Sequence, residues 1–123
     1  MFASVVSITA LYAATMSGGF LTWVPTSAAA PDRQVTTTAF NGGEGLWIEG
    51  RRMYFTTKGD KKVWWVNPDT NAIKVFYDGV ASPSSLNAVD NCIVHAPSGD
   101  VYVCEDGGNM EVGIISERSD GNF

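Results

Sequence analysis

The sequence predicts an all-β fold of short antiparallel strands, and three observations point that way. Short runs rich in Val, Ile, Phe, Tyr and Trp alternate with turn formers from Phe40 onward. Thirteen glycines and five prolines supply tight turns. The strand pattern of the first half then starts again 46 to 48 residues later, measured from Glu44 to Asp90 and from Tyr54 to Tyr102. The chain of 123 residues has room for one ordinary domain, and 45% apolar with 17% charged residues is a globular composition. A formal charge of −5 with only eight scattered basic residues argues against nucleic acid as the main partner, because phosphate contacts need clustered Lys and Arg. No apolar run reaches the roughly 20 residues that a spanning helix needs, so no integral membrane segment is expected.

Residues 1–39 read as an N-terminal apolar segment and linker, and residues 40–123 as the folded β part. The first twenty residues carry no charge, and a secretory signal would start with Lys or Arg. Ser27-Ala28-Ala29 offers a small-residue cleavage site, but Trp23-Val24-Pro25 is poor signal material. The segment is read first as a chain fragment or misplaced start, and second as an atypical signal. Gly18-Gly19 would break any helix starting at Phe2, and Ser27–Arg33, with its alanines and Pro31, reads as a linker.

The strands follow in order. Gly45–Glu49 leads through a Gly50-Arg51-Arg52 turn to Met53–Thr57. The turn at Lys58-Gly59-Asp60-Lys61 precedes Val63–Val66, and Asn67-Pro68-Asp69-Thr70-Asn71 precedes Ile73–Tyr77. The pattern restarts with Asp90–His95, a Pro97-Ser98-Gly99 turn, Val101–Cys104 and Val112–Ser116. A four-stranded unit repeating every 40 to 50 residues or so is the signature of a β-propeller. The expected architecture is thus one and a half to two four-stranded antiparallel blades of a larger propeller. Propellers close with about four to eight blades. These residues are therefore expected to belong to a longer protein whose remaining blades are their partners. A short protein that associates with itself is the alternative.

In a blade, the innermost strand starts at one rim of the ring and the second strand returns to it. Glu44, Asp90, Glu105 and Asp106 are expected around that mouth, with a thiol nearby, and Arg51, Arg52 and Pro97-Ser98-Gly99 at the opposite rim. Converging carboxylates repel one another, and a bound cation relieves the repulsion. Oxygen ligands suit calcium, and a thiolate among them suits iron or zinc. Taken singly, each acid also reads as an ordinary turn residue. Lys58, with Lys61 and Lys62, is the basic group of the same rim, and it either holds a phosphate or carboxylate of a substrate or decorates a hairpin. Cys92 and Cys104, twelve apart, fit no short zinc pattern. Ligands, a disulfide and buried thiols all stay open for them. His95, within a strand, reads as packing. Trp47, Trp64, Trp65, Tyr54 and Tyr102 read as packing between flat blades.

The run from Phe40 through Glu44 to Trp47, the run Met53–Asp60 and then Val63-Trp64 resemble the PhoX-type alkaline phosphatases, secreted bacterial β-propeller enzymes with many uncharacterised relatives. So do Val89-Asp90-Asn91 and the stretch Val103-Cys104-Glu105-Asp106-Gly107-Gly108-Asn109, and the likeness runs from about Leu21 to about Ser116. The resemblance implies a propeller with calcium and iron at one end of its channel, hydrolysing phosphate monoesters outside the cytoplasm. It implies Glu44 as the acidic ligand that opens an inner strand, Cys92 as the thiolate of an asparagine-cysteine pair, and Glu105 as the ligand of a cysteine-glutamate-glutamate motif. Asp90 joins the expected metal ligands and Lys58 is the expected substrate-binding residue. Three positions depart from the family pattern: Ile93 and Val94 replace glycines, and Asp106 replaces the second glutamate. The segment by itself is expected to be inactive. The other readings are a non-catalytic ligand-binding propeller and a calcium-dependent lactonase-like enzyme.

Overall fold

A computed structural model of the chain describes residues 11–26, 37–82 and 86–117, and every regular element among them is a β-strand. No helix among these residues is long and apolar enough to cross a membrane. The chain divides into two compact units, Met1–Ala39 and Phe40–Phe123.

In the first unit, β1 (Leu11–Ser17) and β2 (Phe20–Thr26) form an antiparallel hairpin, with Leu11 opposite Thr26 and Ser17 opposite Phe20. Gly18 and Gly19 close it with φ of +57° and +79°, the left-handed pair that a two-residue turn requires. Thr38 lies alongside, its N–H donating to Ala14 O at 3.0 Å and its Oγ1 accepting from the Met16 N–H at 2.7 Å. The sequence pattern predicts strands only from Phe40 onward, and this hairpin is an addition to it. Its strands lack a clean apolar alternation, which is why they are hard to see in the sequence. The Ser27-Ala28-Ala29 motif, the whole Ser27–Arg33 linker and Phe2 lie outside the described residues.

The second unit holds two antiparallel meanders. Strands β3 (Gly43–Glu49), β4 (Arg52–Thr57), β5 (Lys62–Asn67) and β6 (Ala72–Asp78) make a full four-stranded blade. Strands β7 (Val89–His95), β8 (Asp100–Glu105) and β9 (Val112–Ile115) make a three-stranded one among the described residues. The turn chemistry explains the strand ends. Asn67 Oδ1 accepts the N–H groups of Asp69 and Thr70 at 2.9 and 3.3 Å, and Asn71 takes a φ of +59°.

The two blades share one core. Alternation along β4, β5 and β6 turns Tyr54, Val63 and Phe76 to one side, and alternation along β7 and β8 turns Cys92, Val94, Val101 and Val103 toward them. Tyr54 and Phe76 meet edge to face at 5.1 Å, and the Tyr77 hydroxyl donates to Leu86 O at 2.8 Å. Trp65 packs against this core, as expected for an aromatic between blades. Trp64 does not. It pairs with Phe55 in the register, one residue out of phase with Tyr54, and so lies on the other side of its sheet. There its ring stacks on Phe55, meets Phe40 edge to face, and donates its indole N–H to Thr57 Oγ1 at 2.9 Å.

Candidate functional site

Each innermost strand carries the same irregularity. In β3 the register passes from Gly43–Thr57 to Leu46–Phe55, three residues against two. In β7 it passes from Val89–Glu105 to Cys92–Val103, again three against two. The bulge regions are therefore Glu44-Gly45 and Asp90-Asn91, at equivalent places in the two repeats. A bulge re-aims the side chains on it, and here each bulge carries one of the four acids expected at the mouth.

The bulges touch. A Cβ on Gly45 would lie 2.6 Å from Asn91 Cα and 2.8 Å from Asp90 O, so only glycine allows the inner strands to approach this closely. Thr56, fully buried on β4, ties them together: its hydroxyl accepts the Gly45 N–H at 2.8 Å and donates to Asp90 O. In the second repeat Cys104 stands in place of Thr56, and its thiol donates to Asn91 O of its own bulge at 3.5 Å, where Thr56 accepts the N–H of Gly45.

Lys58 follows β4 at the same rim. Its ammonium sits 2.8 Å from Asp106 Oδ2 in the second blade. That hydrogen bond raises the lysine pKa above its ordinary value, and the charges of Asp90 and Glu44 add to the effect. The same bond, with the lysine charge, lowers the Asp106 pKa. Glu44, Asp90 and Asp106 thus face a cation that already offsets part of their repulsion. In the next turn, Asp60 Oδ1 is buried with no hydrogen-bond partner among the described residues. At the opposite rim, Arg52 and the Pro97-Ser98-Gly99 turn line one pocket, as the blade geometry requires.

The other expected ligands lie elsewhere. Glu105 is buried, and its Oε1 accepts the backbone N–H groups of Asn87 and of Ala88, the latter at 3.2 Å. With Asp106 N–H donating to Ala88 O at 3.1 Å, this carboxylate latches the chain entering β7. Cys92 is a buried free thiol between the blades, 4.0 Å from Tyr54 O, and burial with the nearby Cys104 pushes its pKa up to about 11. Cys104 is free as well and stands on the other face of the sheet, so the two cysteines form no disulfide. His95 is exposed, with Nδ1 2.8 Å from Ser98 Oγ and its ring edge-on to Tyr102 at 6.3 Å; it closes a turn and does not pack in the core.

Among the described residues, no three His, Cys, Asp or Glu side chains gather into a group that could hold a metal. Glu44 and Asp90 lie on the two bulges, whereas Cys92 and Glu105 make their contacts inside the protein. Two residues that matter here escape a reading of the sequence. Thr56 looks like any strand threonine, and only its equivalence to Cys104 hints at a special place. Asp60 looks like a solvated turn acid.

Comparison with protein-family models, curated proteins and solved structures gives no match. The class defined by the chain's own geometry is that of propeller-type blades, two of which pack through equivalent bulged inner strands.

Proposed function

We propose that this chain forms two blades of a PhoX-like, metal-dependent phosphate monoester hydrolase acting outside the cytoplasm, with other blades supplying the rest of the site. The observation that supports this reading is the matched pair of bulges that carry Glu44 and Asp90 at equivalent strand starts, near enough to Lys58 for their charges to raise its pKa. In this reading Glu44 and Asp90 hold calcium or iron together with ligands from further blades, and the metal supplies positive charge against phosphate oxygens. Lys58 serves the same oxygens by exchanging its Asp106 partner for phosphate, one charge-assisted hydrogen bond for another.

The test is metal analysis and p-nitrophenyl phosphate hydrolysis with the longest natively purified form of the protein. Iron and calcium retained through dialysis, with turnover lost in Glu44→Ala and Asp90→Ala, is the expected result. Turnover indifferent to both substitutions refutes it. The 123-residue chain, kept monomeric, is expected to hydrolyse no ester, and turnover from the monomer would refute the need for further blades.

A second reading, a non-catalytic ligand-binding propeller, is favoured by one observation: Glu105 and Cys92 are both engaged inside the protein. It predicts that Glu105→Ala lowers stability and leaves metal content unchanged.

A further inference from the structure

The internal interface between the two blades contains the rule for a second interface. Within the chain, the side of the first blade bearing Tyr54, Val63 and Trp65 is covered by the side of the second blade bearing Cys92, Val94, Val101 and Val103. Each blade thus has a donor side and an acceptor side, and the repeat gives both blades both kinds.

The unused sides can be read off by register. On the second blade, the equivalents of Tyr54, Val63 and Trp65 are Tyr102, Val112 and Ile114. Register pairs Ile93 with Tyr102, Tyr102 with Ile114, and Cys104 with Val112, so all five lie on one face. That face is open: Ile93 is 49%, Ile114 58% and Val112 67% exposed. Ile93, Tyr102, Cys104 and Val112, with Asn91 and Cys92, line an almost wholly apolar depression of about 230 Å³. On the first blade, the equivalents of Cys92 and Val94 are Leu46 and Ile48. The former pair is 2% and 8% exposed, yet the latter pair is 57% and 56% exposed. Among the described residues, the tandem therefore leaves an open acceptor side at one end and an open donor side at the other. The inner-strand clamp repeats the message. Thr56 hydroxyl bonds both to its own blade and to Asp90 O of the next, whereas Cys104, its equivalent, bonds only within its own blade.

We propose that a second copy of this chain seats its Leu46/Ile48 side on the Ile93/Tyr102/Ile114 face of the first, head to tail, repeating the contact already made between the chain's own two blades. Such an interface is heterologous: the two surfaces differ, so every added copy leaves one of each free until a ring closes. An apolar open face of this kind on a soluble domain marks an association surface. The inference rests on the repeat and its internal interface and stands apart from the chemistry at the mouth.

The experiment is sedimentation of the 123-residue chain over a range of concentrations, beside two variants, Leu46→Lys and Ile93→Lys. The wild-type chain is expected to associate into integer multiples of 13.2 kDa. Each lysine blocks one side, because burying an unpaired charge at an apolar contact is costly, and is expected to weaken self-association roughly tenfold or more. An equimolar mixture of the two variants is expected to give a complex of one copy of each, since each retains the side the other lacks, and this also shows that both are folded. A wild-type chain that stays monomeric at several hundred micromolar overturns the proposal and leaves the faces to blades of a longer polypeptide. Two other results also overturn it: association that neither lysine weakens, and a variant mixture that stays monomeric.

Discussion

Thr56→Val isolates the clamp between the blades. Valine matches threonine in size and β-branching, so packing is kept and only the hydroxyl is lost. The hydroxyl is fully buried and serves two partners, the buried Gly45 N–H at 2.8 Å and Asp90 O. Leaving a buried donor without a partner costs about 1–3 kcal/mol, and the second lost bond adds about 1 kcal/mol net. The expected destabilisation is therefore about 2–4 kcal/mol. Thr56→Ser keeps the hydroxyl and removes one methyl group, which costs about 1 kcal/mol. Urea unfolding followed by tryptophan fluorescence reads both. With a slope of about 1–3 kcal/mol per molar urea, the Val variant should lower the midpoint by roughly 1 M or more, and the Ser variant by clearly less. If Ser proves as damaging as Val, or Val is neutral, the hydroxyl is not the tie between the inner strands and the argument from it fails.

Three other outcomes are expected. Glu105→Ala should expose the amides of Asn87 and Ala88 to fast hydrogen exchange and destabilise by about 2 kcal/mol, whereas Glu105→Gln, which keeps one acceptor oxygen, should cost less. In a dilute solution at pH 8 a thiol reagent should modify Cys104 and leave Cys92 intact until the protein is unfolded, because a thiol whose pKa is about 11 has about one molecule in a thousand as thiolate. The Lys58–Asp106 pair should show in titration by NMR. Asp106 has a lowered folded-state pKa, so its contribution is present above the ordinary value of 3.8 and lost as pH falls through the lowered one. Lys58 has a raised pKa, so its contribution is present below 10.5 and lost as pH rises through the raised value. Lys58→Met should return Asp106 toward its ordinary titration, and an unchanged Asp106 would mean that the pair is not formed in solution.

The seven strands from β3 to β9 were legible because each joins β-rich residues to turn chemistry of the right kind, as at Asn67–Asn71 and Gly50. The repeat was legible because both blades solve the same packing problem. The placement of Glu44 and Asp90 at equivalent strand starts was legible for the same reason. The hairpin β1–β2 was not, since its mixed exposure leaves no alternating pattern to see. The fate of the acids was not legible either. Glu105 and Asp106 are neighbours in sequence, yet strand alternation sends one inward to backbone amides and the other outward to Lys58, 48 residues away.

By itself, then, the sequence determined an all-β chain, its strand order and its doubling, because period-2 patterning and turn residues are local properties that the chain carries along its length. The tertiary structure decided what no local pattern encodes. It set which face of each strand meets its neighbour, after a one-residue bulge shifts the phase of β3 and β7. It thereby buried Cys92, turned Trp64 away from the shared core, made Thr56 the link between blades, and left a matching pair of blade sides open.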